Sequence, residues 1–534
     1  MRFTVGLSRN AFVFLSFMYG IATANDIYIA QNAAGTANGS SCGNAYSYTF
    51  FNSSGNWGTG SNQIGPGSTV HICGTITFPA GTAGLVAQGS GASGNPVKIL
   101  FESGAILQSP YFLNGGANAG GAINLANKSY IIIDGGSDGI IQNTGNGTSG
   151  SYPNQAPTIG INADNSNTVT IQNLTIQNMY VRTSTSDSSV DQTQLNSIHA
   201  YPVNNFVINN VTLHDAGWHL AVYGNNVTIS NSNIYNMDHG LSAGLGSTGY
   251  SGLYIYGNHF HDMSRWDDTT GANPYHHDAI HLWGTSGSGG WSNVYIYNNR
   301  FDGNAGMPGG GANGWIYFEY VIGPTYIFNN VLTSSPGTSF PSELGPFGGT
   351  TTQLIANNTM FGYGSAGCTN PGATGFASQS PGITMKNNIF ADQYVTVYIK
   401  APGGPAPGGF NNNVYGNTSI ACGGSAHTWS FQGTDTQSLA TWQAASGGDA
   451  QAVLATASQI NLSSNGVPQA GSVALNAGAN LTSLCSGTLV ALCSDITGKP
   501  RPTSGPWDAG AYEVSSGGVS SGPAAPTNVT VTVY

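Results

Sequence analysis

One phrase recurs along the chain: a short alternating strand, one or two asparagines, and a second short strand. Its nine copies read VTIQNLTI (169–176), FVINNVTL (206–213), VTISNSNI (227–234), LYIYGNHF (253–260), VYIYNNRF (294–301), YIFNNVL (326–332), LIANNTMF (354–361), ITMKNNIF (383–390) and FNNNVY (410–415). Alternation with a period of two residues is typical of a strand with one buried face. Asparagine tolerates a left-handed turn, and its amide can bond to the equivalent amide of the next copy. The phrase therefore predicts units that stack at an asparagine corner.

The spacing of the copies decides between two β architectures. The asparagines that we expect to stack are separated by 21 to 41 residues, and they are Asn210, Asn231, Asn258, Asn299, Asn330, Asn358 and Asn388. Fixed strands joined by loops of free length produce such a variable period, whereas a β-sandwich would show hairpin turns such as NG or DG between paired strands. We predict an all-β fold, a right-handed parallel β-helix with an asparagine ladder.

The asparagine repeats resemble the pectate-lyase-like superfamily of right-handed β-helix proteins. The segment SDITGKPRPTSGPWDAGAYE (494–513) resembles the closing segment of many secreted bacterial members. The resemblance covers residues 25–513, which we assign to the β-helix. That superfamily contains lyases, hydrolases, epimerases and non-catalytic adhesins, so the resemblance implies a fold and leaves the reaction open. Residues 514–534 read as a Gly/Ser/Pro linker and the truncated start of a fibronectin-type module.

The N-terminus has the pattern of a secretory signal peptide over residues 1–24. Arg2 and Arg9 flank the start of a short apolar run, and Ala-Thr-Ala at 22–24 is a small-residue cleavage site. The run is too short for a stable membrane span. Six cysteines in a secreted chain suggest disulfides, and sequence proximity favours Cys42–Cys73, Cys368–Cys422 and Cys485–Cys493. We expect an extracellular monomer.

Charge is scarce in this chain. Charged residues make up 6% of the sequence, and Lys and Arg together number 11 against a net charge of −11. Nucleic-acid binding requires a basic surface that releases counterions, so this class of partner is excluded. The partner that we expect is a polysaccharide, for the reasons given next.

A second set of short strands lies between the asparagine turns. Aligned on their central aliphatic residue, they read NSIHAYP (196–202), WHLAVYG (218–224), HGLSAGL (239–245), DAIHLWG (278–284) and GWIYFEY (314–320). Residues on either side of that aliphatic are expected to point outward, because successive side chains of a strand face opposite ways. Aromatic rings in these columns can stack on sugars, which predicts a glycan groove. The candidate substrate-binding residues are Tyr201, Tyr223, Trp283, His199, His219 and Trp315, together with Arg300.

Histidines concentrate in one third of the chain. Nine of the 11 lie between positions 199 and 281, and the densest group is NPYHHDAIHLWG (273–284), which ends a long insertion. HHDAIH resembles the H-x-D-G-I strands of the superfamily, with Ala279 in place of the usual glycine. Asp278 and His281 are the leading catalytic candidates, and they share a side only if Asp278 lies in the turn before the strand. The further catalytic candidates are His277, Asp238, Tyr317 and Glu319.

Two reactions fit these residues. Inverting hydrolysis requires two carboxyl groups about 6.5–9.5 Å apart, which neighbouring turns carrying Asp238, Asp278 and Glu319 can supply. β-Elimination requires a base, for which His281 or Tyr317 is a candidate, and a cation to neutralise a uronate. No cofactor is certain, but calcium bound by Asp267 and Asp268 would serve.

Two other interpretations remain. Zinc fits the residue types of HHDAIH, but residues 276, 277 and 281 lack the i, i+2 spacing that places histidines on one face of a strand. A non-catalytic glycan-binding protein or adhesin is the alternative to an enzyme. The clustering of His and Asp disfavours it, because a structural β-helix would spread its polar residues evenly.

Overall fold

The computed structural model describes residues 25–116, 119–147, 153–180, 192–244, 249–263, 277–284, 289–304, 314–318, 321–333, 352–361, 374–391, 395–416 and 427–514. Glu319, Asp267, Asp268 and the pair Cys368–Cys422 lie outside these residues, as do the predicted signal peptide and residues 515–534. The boundaries of the three predicted segments stay predictions.

Parallel strands dominate the fold and form three long faces, with strands numbered β1 to β35 in chain order. The first face leads into the asparagine turns and contains β1 (Asp26–Ala30), β3 (Thr69–Ile72), β6 (Val97–Phe101), β9 (Ser129–Asp134), β12 (Asn167–Gln172), β17 (Tyr250–Tyr256), β20 (Trp291–Tyr297), β23 (Thr325–Phe328), β25 (Thr352–Ala356), β28 (Gly382–Lys386) and β31 (Pro405–Asn411). The second face follows those turns and contains β4 (Thr75–Thr77), β7 (Ile106–Ser109), β10 (Ile140–Asn143), β13 (Thr175–Tyr180), β18 (His259–Met263), β21 (Arg300–Asp302), β24 (Val331–Thr333), β26 (Thr359–Phe361), β29 (Ile389–Phe390), β32 (Val414–Gly416) and β35 (Val453–Ala455).

The third face carries the candidate site and contains β5 (Leu85–Val86), β8 (Ile123–Asn124), β11 (Thr158–Asn162), β19 (Asp278–Leu282) and β22 (Gly314–Phe318). Three long strands bend round corners and so join more than one face: β14 (Leu195–Asn209), β15 (Thr212–Ser230) and β16 (Asn233–Ala243). The remaining strands are β2 (Tyr46–Ser47) and the smaller sheet of β27 (Thr374–Ser378), β30 (Val395–Ile399), β33 (His427–Phe431) and β34 (Thr434–Thr436). The α-helices are α1 (Leu439–Ser446) and α2 (Ala457–Ile460).

The core consists of aliphatic columns that run along the coil. On the third face the column is Ile161, Ile198, Leu220, Leu241, Ile280 and Ile316, each paired in register with the next. All six are at most 1% exposed, so burial of one apolar column repeats from turn to turn. This pairing confirms the predicted parallel β-helix and the register in which the second set of strands was aligned.

A buried asparagine ladder closes the corner between the first and second faces. Each side chain accepts from the backbone N–H and side-chain amide of the preceding ladder residue at 3.0 Å, as Asn330 does from Asn299. The ladder runs through Asn258, Asn299, Asn330, Asn358, Asn388 and Asn413. Five of the seven predicted positions therefore stack as expected.

Asn210 and Asn231 lie one position before the ladder, which corrects the prediction for these two residues. Both have φ of 53°, in the left-handed region also occupied by Asn298. The ladder position in these turns belongs to Val211 and Ser232, whose hydroxyl accepts from the N–H of Val211. The double asparagine of the sequence thus serves two columns, a left-handed turn and a ladder.

The C-terminal segment, residues 462–513, packs against the outside of several turns. Left-handed asparagines bond to it: Asn329 donates to the carbonyl of Ser494, Asn387 to that of Ala479 and Asn412 to that of Ala477. Leu481, Leu492 and Trp507 of the segment cover an apolar cluster that includes Phe328 and Leu354 of the first face. The segment therefore ties distant turns together.

Two of the predicted disulfides are confirmed, Cys42–Cys73 and Cys485–Cys493. Within the described ranges, none of the helices has the length and apolar character needed to cross a membrane.

Candidate functional site

The third face carries the column that the strand alignment predicts, but its expected exposure is wrong for four of the five residues, which are at most 9% exposed; Tyr317 is partly exposed. His199, Ala221, Ser242, His281 and Tyr317 lie side by side on successive turns. Next to it, the half-buried rings of Tyr201 and Tyr223 stack with centroids 4.3 Å apart. The half-buried Trp283 ring lies over Gly244, where a Cβ atom would approach it to 1.8 Å. Burial raises the pKa of both tyrosines, so their hydroxyls stay protonated at neutral pH.

His219 and Trp315 are fully buried, so their predicted exposure is wrong. The third face begins at a corner, and there the strands bend and do not follow simple alternation. The Nε2 of His219 lies 2.9 Å from the carbonyl oxygen of Tyr235 and its Nδ1 lies 2.8 Å from the Ser197 hydroxyl. Burial lowers the pKa of His219 to about 4, so the ring is neutral and its Nε2–H donates to the carbonyl. The indole N–H of Trp315 donates to the carbonyl of Thr333.

Arg300 and His199 occupy different surroundings. Arg300 lies on β21 in the second face, where its guanidinium contacts Asp302. The structure therefore does not bring it to the rings of Tyr201, Tyr223 and Trp283. His199 is 9% exposed, and its Nδ1 lies 2.9 Å from a carboxylate oxygen of Asp164. The same Asp164 oxygen accepts from the backbone N–H of Tyr201, so one buried carboxylate orients both residues. Sequence reasoning missed Asp164, which lies in a turn outside the aligned strands.

Five ionisable side chains meet where β16 and β19 begin to follow the third face, and we call them the histidine–aspartate cluster: Asp238, His239, His277, Asp278 and His281. Each is at most 7% exposed. The pairing of His239 with Asp278 in adjacent strands brings the two turns into contact. Asp278 is the first residue of β19, at the corner, which allows its carboxylate to reach His281 at 3.6 Å on the same side.

Asp238 organises the inner half of the cluster. One of its carboxylate oxygens lies 2.7 Å from His239 Nδ1, and the other lies 3.0 Å from His277 Nδ1. Burial opposes ionisation of Asp238, but the charges and hydrogen bonds of His239 and His277 outweigh it and hold the pKa well below the usual range. Burial lowers the pKa of His239, yet Asp238 and Asp278 outweigh that effect and raise it to about 9. Asp238 and His239 therefore form an ion pair at neutral pH.

His239 was not among the candidates from sequence, although the strand alignment already placed it opposite Asp278. Its outer nitrogen, Nε2, lies 3.5 Å from Asp278 Oδ2 and 3.4 Å from His281 Nδ1. Beyond His281, the half-buried Tyr317 ring is 5.0 Å away between centroids and the Trp283 ring 6.5 Å. The cluster thus adjoins the aromatic rings of Tyr317 and Trp283 at its outer edge.

The chain was compared with known proteins at three levels. No protein-family model and no curated protein sequence matches it. Among solved structures, it is similar to pectate lyase Pel9A, with 15% identity, a TM-score of 0.35 and coverage of 92% of this chain and 97% of that one. The alginate lyase AlyGC has 12% identity, a TM-score of 0.34 and coverage of 68% and 51%.

A family 28 exopolygalacturonase of Yersinia enterocolitica has 11% identity, a TM-score of 0.29 and coverage of 70% and 72%. Likeness at this level says nothing of activity, and the fold assignment rests on the strand pairing of the chain itself. With that pairing, the chain is a parallel β-helix protein, as its asparagine repeats lead one to expect.

Proposed function

We propose that the protein is a secreted enzyme that cleaves glycosidic bonds of an extracellular polysaccharide on its third face. One observation carries the proposal: the histidine–aspartate cluster lies beside a column of half-buried aromatic rings. Rings of this kind offer flat apolar faces to sugars, and the cluster offers groups that exchange protons. The two confirmed disulfides suit an oxidising, extracellular compartment.

The burial of the cluster supports a functional rather than a purely structural role for its residues. Removing charged groups from water is destabilising unless each is paired. Even paired groups rarely contribute more to folding stability than apolar packing would. The structural ladder of this chain uses neutral asparagines such as Asn299 and Asn330 instead. Strongly coupled ionisable groups concentrate at functional sites, so we assign the chemistry to the cluster and the binding to the rings.

The residue roles follow from position. Asp278 and His281 lie together on β19 beside Tyr317, and we propose them as the groups that move protons at the scissile bond. Asp238 and His277 lie behind His239 and are positioning residues. Trp283, Tyr201 and Tyr223 are proposed to bind sugar. Hydrolysis and elimination both remain open, and Glu319, Asp267 and Asp268 stay candidates from sequence.

One assay separates the classes. Purified protein is incubated with a panel of neutral and uronate-containing polysaccharides, and product is read both as new reducing ends and as absorbance of an unsaturated sugar. Reducing ends alone indicate a hydrolase, and both signals indicate a lyase. Binding without product would establish the alternative, a glycan-binding β-helix, and would refute the proposed enzyme.

The variant Asp278→Asn tests the assignment of catalytic residues in the same assay. Loss of a general acid or base typically lowers the rate about 10²–10⁴-fold. The control is Asp262→Asn on the second face, where an exposed carboxylate also lies beside a histidine, His261, but away from the cluster. Full activity of Asp278→Asn, or an equal loss in Asp262→Asn, would remove the cluster from the mechanism. A melting curve of each variant separates lost chemistry from lost folding.

A further inference from the structure

Three ligand atoms from two neighbouring turns form a nearly equilateral triangle inside the cluster. They are His239 Nε2, Asp278 Oδ2 and His281 Nδ1, and their separations are 3.4, 3.5 and 3.6 Å. A tetrahedral ion with bonds of about 2.1 Å, the length of a zinc–nitrogen or zinc–oxygen bond, places its ligand atoms about 3.4 Å apart, which is close to these three separations. One ion can therefore contact all three atoms with little movement.

The three separations lie at the long end of hydrogen-bond distances or just beyond it. Hydrogen bonds between such atoms are usually about 2.7–3.2 Å long. His239 makes a contact of that length on its other side, where Nδ1 lies 2.7 Å from Asp238. The wider spacing is thus confined to the side of His239 that faces Asp278 and His281.

The residues behind the triangle are those expected behind a metal ligand. A carboxylate bonded to the far nitrogen of a ligating histidine fixes the tautomer that leaves the other nitrogen as a lone pair. Asp238 holds His239 Nδ1 in this way and is itself held by His277 Nδ1 at 3.0 Å.

Other His–Asp pairs of the chain provide an internal comparison. His214 with Asp215 and His261 with Asp262 form adjacent pairs on the second face, at 2.6 and 2.8 Å. In the part of the chain that the structure describes, only His239, Asp278 and His281 offer three ligand atoms within 4.8 Å of one another. The triangle is therefore not a by-product of every His–Asp pair on this coil.

We propose that His239, Asp278 and His281 bind a zinc-type divalent cation in tetrahedral geometry. Two imidazoles and one carboxylate suit zinc, whereas calcium prefers oxygen ligands throughout. An octahedral ion with bonds of about 2.1 Å would place adjacent ligands roughly 3.0 Å apart, closer than these atoms lie.

The test is metal binding by the full chain after treatment with a chelator. Co²⁺ serves as the probe, because tetrahedral Co²⁺ absorbs visible light far more strongly than octahedral Co²⁺. We expect one ion per chain with the strong tetrahedral spectrum, and displacement of that spectrum by one equivalent of Zn²⁺. No binding, or only the weak octahedral spectrum, would overturn the proposal without any variant.

Variants then locate the ion. His281→Ala and Asp278→Asn should each weaken Zn²⁺ binding at least about 100-fold, and Asp238→Asn should weaken it about 10–100-fold through the orientation of His239. His261→Ala, on the second face, is the matched control and should bind as the unmodified chain does. Undiminished binding in folded Asp278→Asn or His281→Ala, verified by melting curves, would contradict the assignment.

The metal proposal shares Asp278 and His281 with the proposed active site but does not rest on it. A bound ion would occupy Asp278 Oδ2 and His281 Nδ1, so proton transfer by these residues would use the other carboxylate oxygen and the other ring nitrogen. Tetrahedral Co²⁺ binding without cleavage of any polysaccharide leaves the metal site standing and refutes the enzyme. Cleavage that persists in chelated protein that binds no Co²⁺ leaves the enzyme standing and refutes the metal site.

Discussion

Replacing one rung of the asparagine ladder should destabilise the β-helix far more than its single side chain suggests. Asn330 is fully buried and makes four side-chain hydrogen bonds. Its Oδ1 accepts from the backbone N–H and side-chain amide of Asn299 at 3.0 Å each. Its Nδ2 donates to the carbonyl of Ile296 at 2.9 Å and to Asn358 at 3.0 Å.

The magnitude for Asn330→Ala follows from which groups lose their partner. The backbone N–H of Asn299 loses its acceptor inside the protein, which costs about 1–3 kcal/mol, and each of the three other bonds contributes about 0.5–1.5 kcal/mol. Part of this is recovered, because the Asn299 side chain still donates to Ile255 and Asn358 still accepts from the backbone of residue 330. We therefore expect the free energy of unfolding to fall by about 3–5 kcal/mol, a large value for one substitution.

Urea unfolding followed by circular dichroism measures the change. The matched control is Asn204→Ala, because Asn204 is exposed and its side chain accepts from that of Asn225. The control should change stability by less than about 0.5 kcal/mol. A loss below about 1 kcal/mol in Asn330→Ala, or a similar loss in both variants, would refute the reasoning that the ladder bonds hold the turns together.

Three further outcomes are expected. The pKa of buried His219, near His214 and Asp215, is about 4 when folded and 6.5 in the reference state, so protons favour unfolding as the pH falls from 6.5 to 4. The free energy of unfolding should drop by up to about 1.4 kcal/mol per pH unit over this range. Urea unfolding at several pH values should show a weaker dependence of that free energy on pH in His219→Gln; an equal dependence would contradict this. Replacing both Cys42 and Cys73 by Ser opens a loop between residues 31 positions apart and should cost about 3–4 kcal/mol by the chain-entropy account, seen as a lower melting temperature; an unchanged one would exclude it. Trp283→Ala should weaken glycan binding by about 1–3 kcal/mol in calorimetry, and unchanged affinity in folded protein would place the groove elsewhere.

The repeated phrase predicts the fold because register in a sheet is set by a period of two. Shifting a strand by one residue would turn Ile280 and Leu282 out of the core, so aligning the aliphatics aligns the strands. The asparagine corner is less determined. NN offers two residues for a left-handed turn and a ladder, and only the backbone conformation distinguishes Asn210 from Asn299.

The site is harder to predict for a geometric reason. Strand alternation treats a strand as straight, but β15 and β16 bend where the third face begins, and this bend buries His219. The same bend brings the side chain of His239 against Asp278, which lies one turn and 39 positions later in the chain. The strand alignment pairs the two residues, but alternation alone does not predict that their side chains meet. Local patterns therefore indicate which strand holds the chemistry, while its partners depend on the corner.

The C-terminal segment has a consequence for biosynthesis. Its residues leave the ribosome after every turn that they cover, so a partly translated chain exposes Phe328 and Leu354 with nothing from residues 481–507 to shield them. Exposed apolar strips promote aggregation during folding. Docking of Trp507 and pairing of Arg501 with Glu513 can form only after residue 513 has been synthesised, so the protected, stable state is reached late in translation.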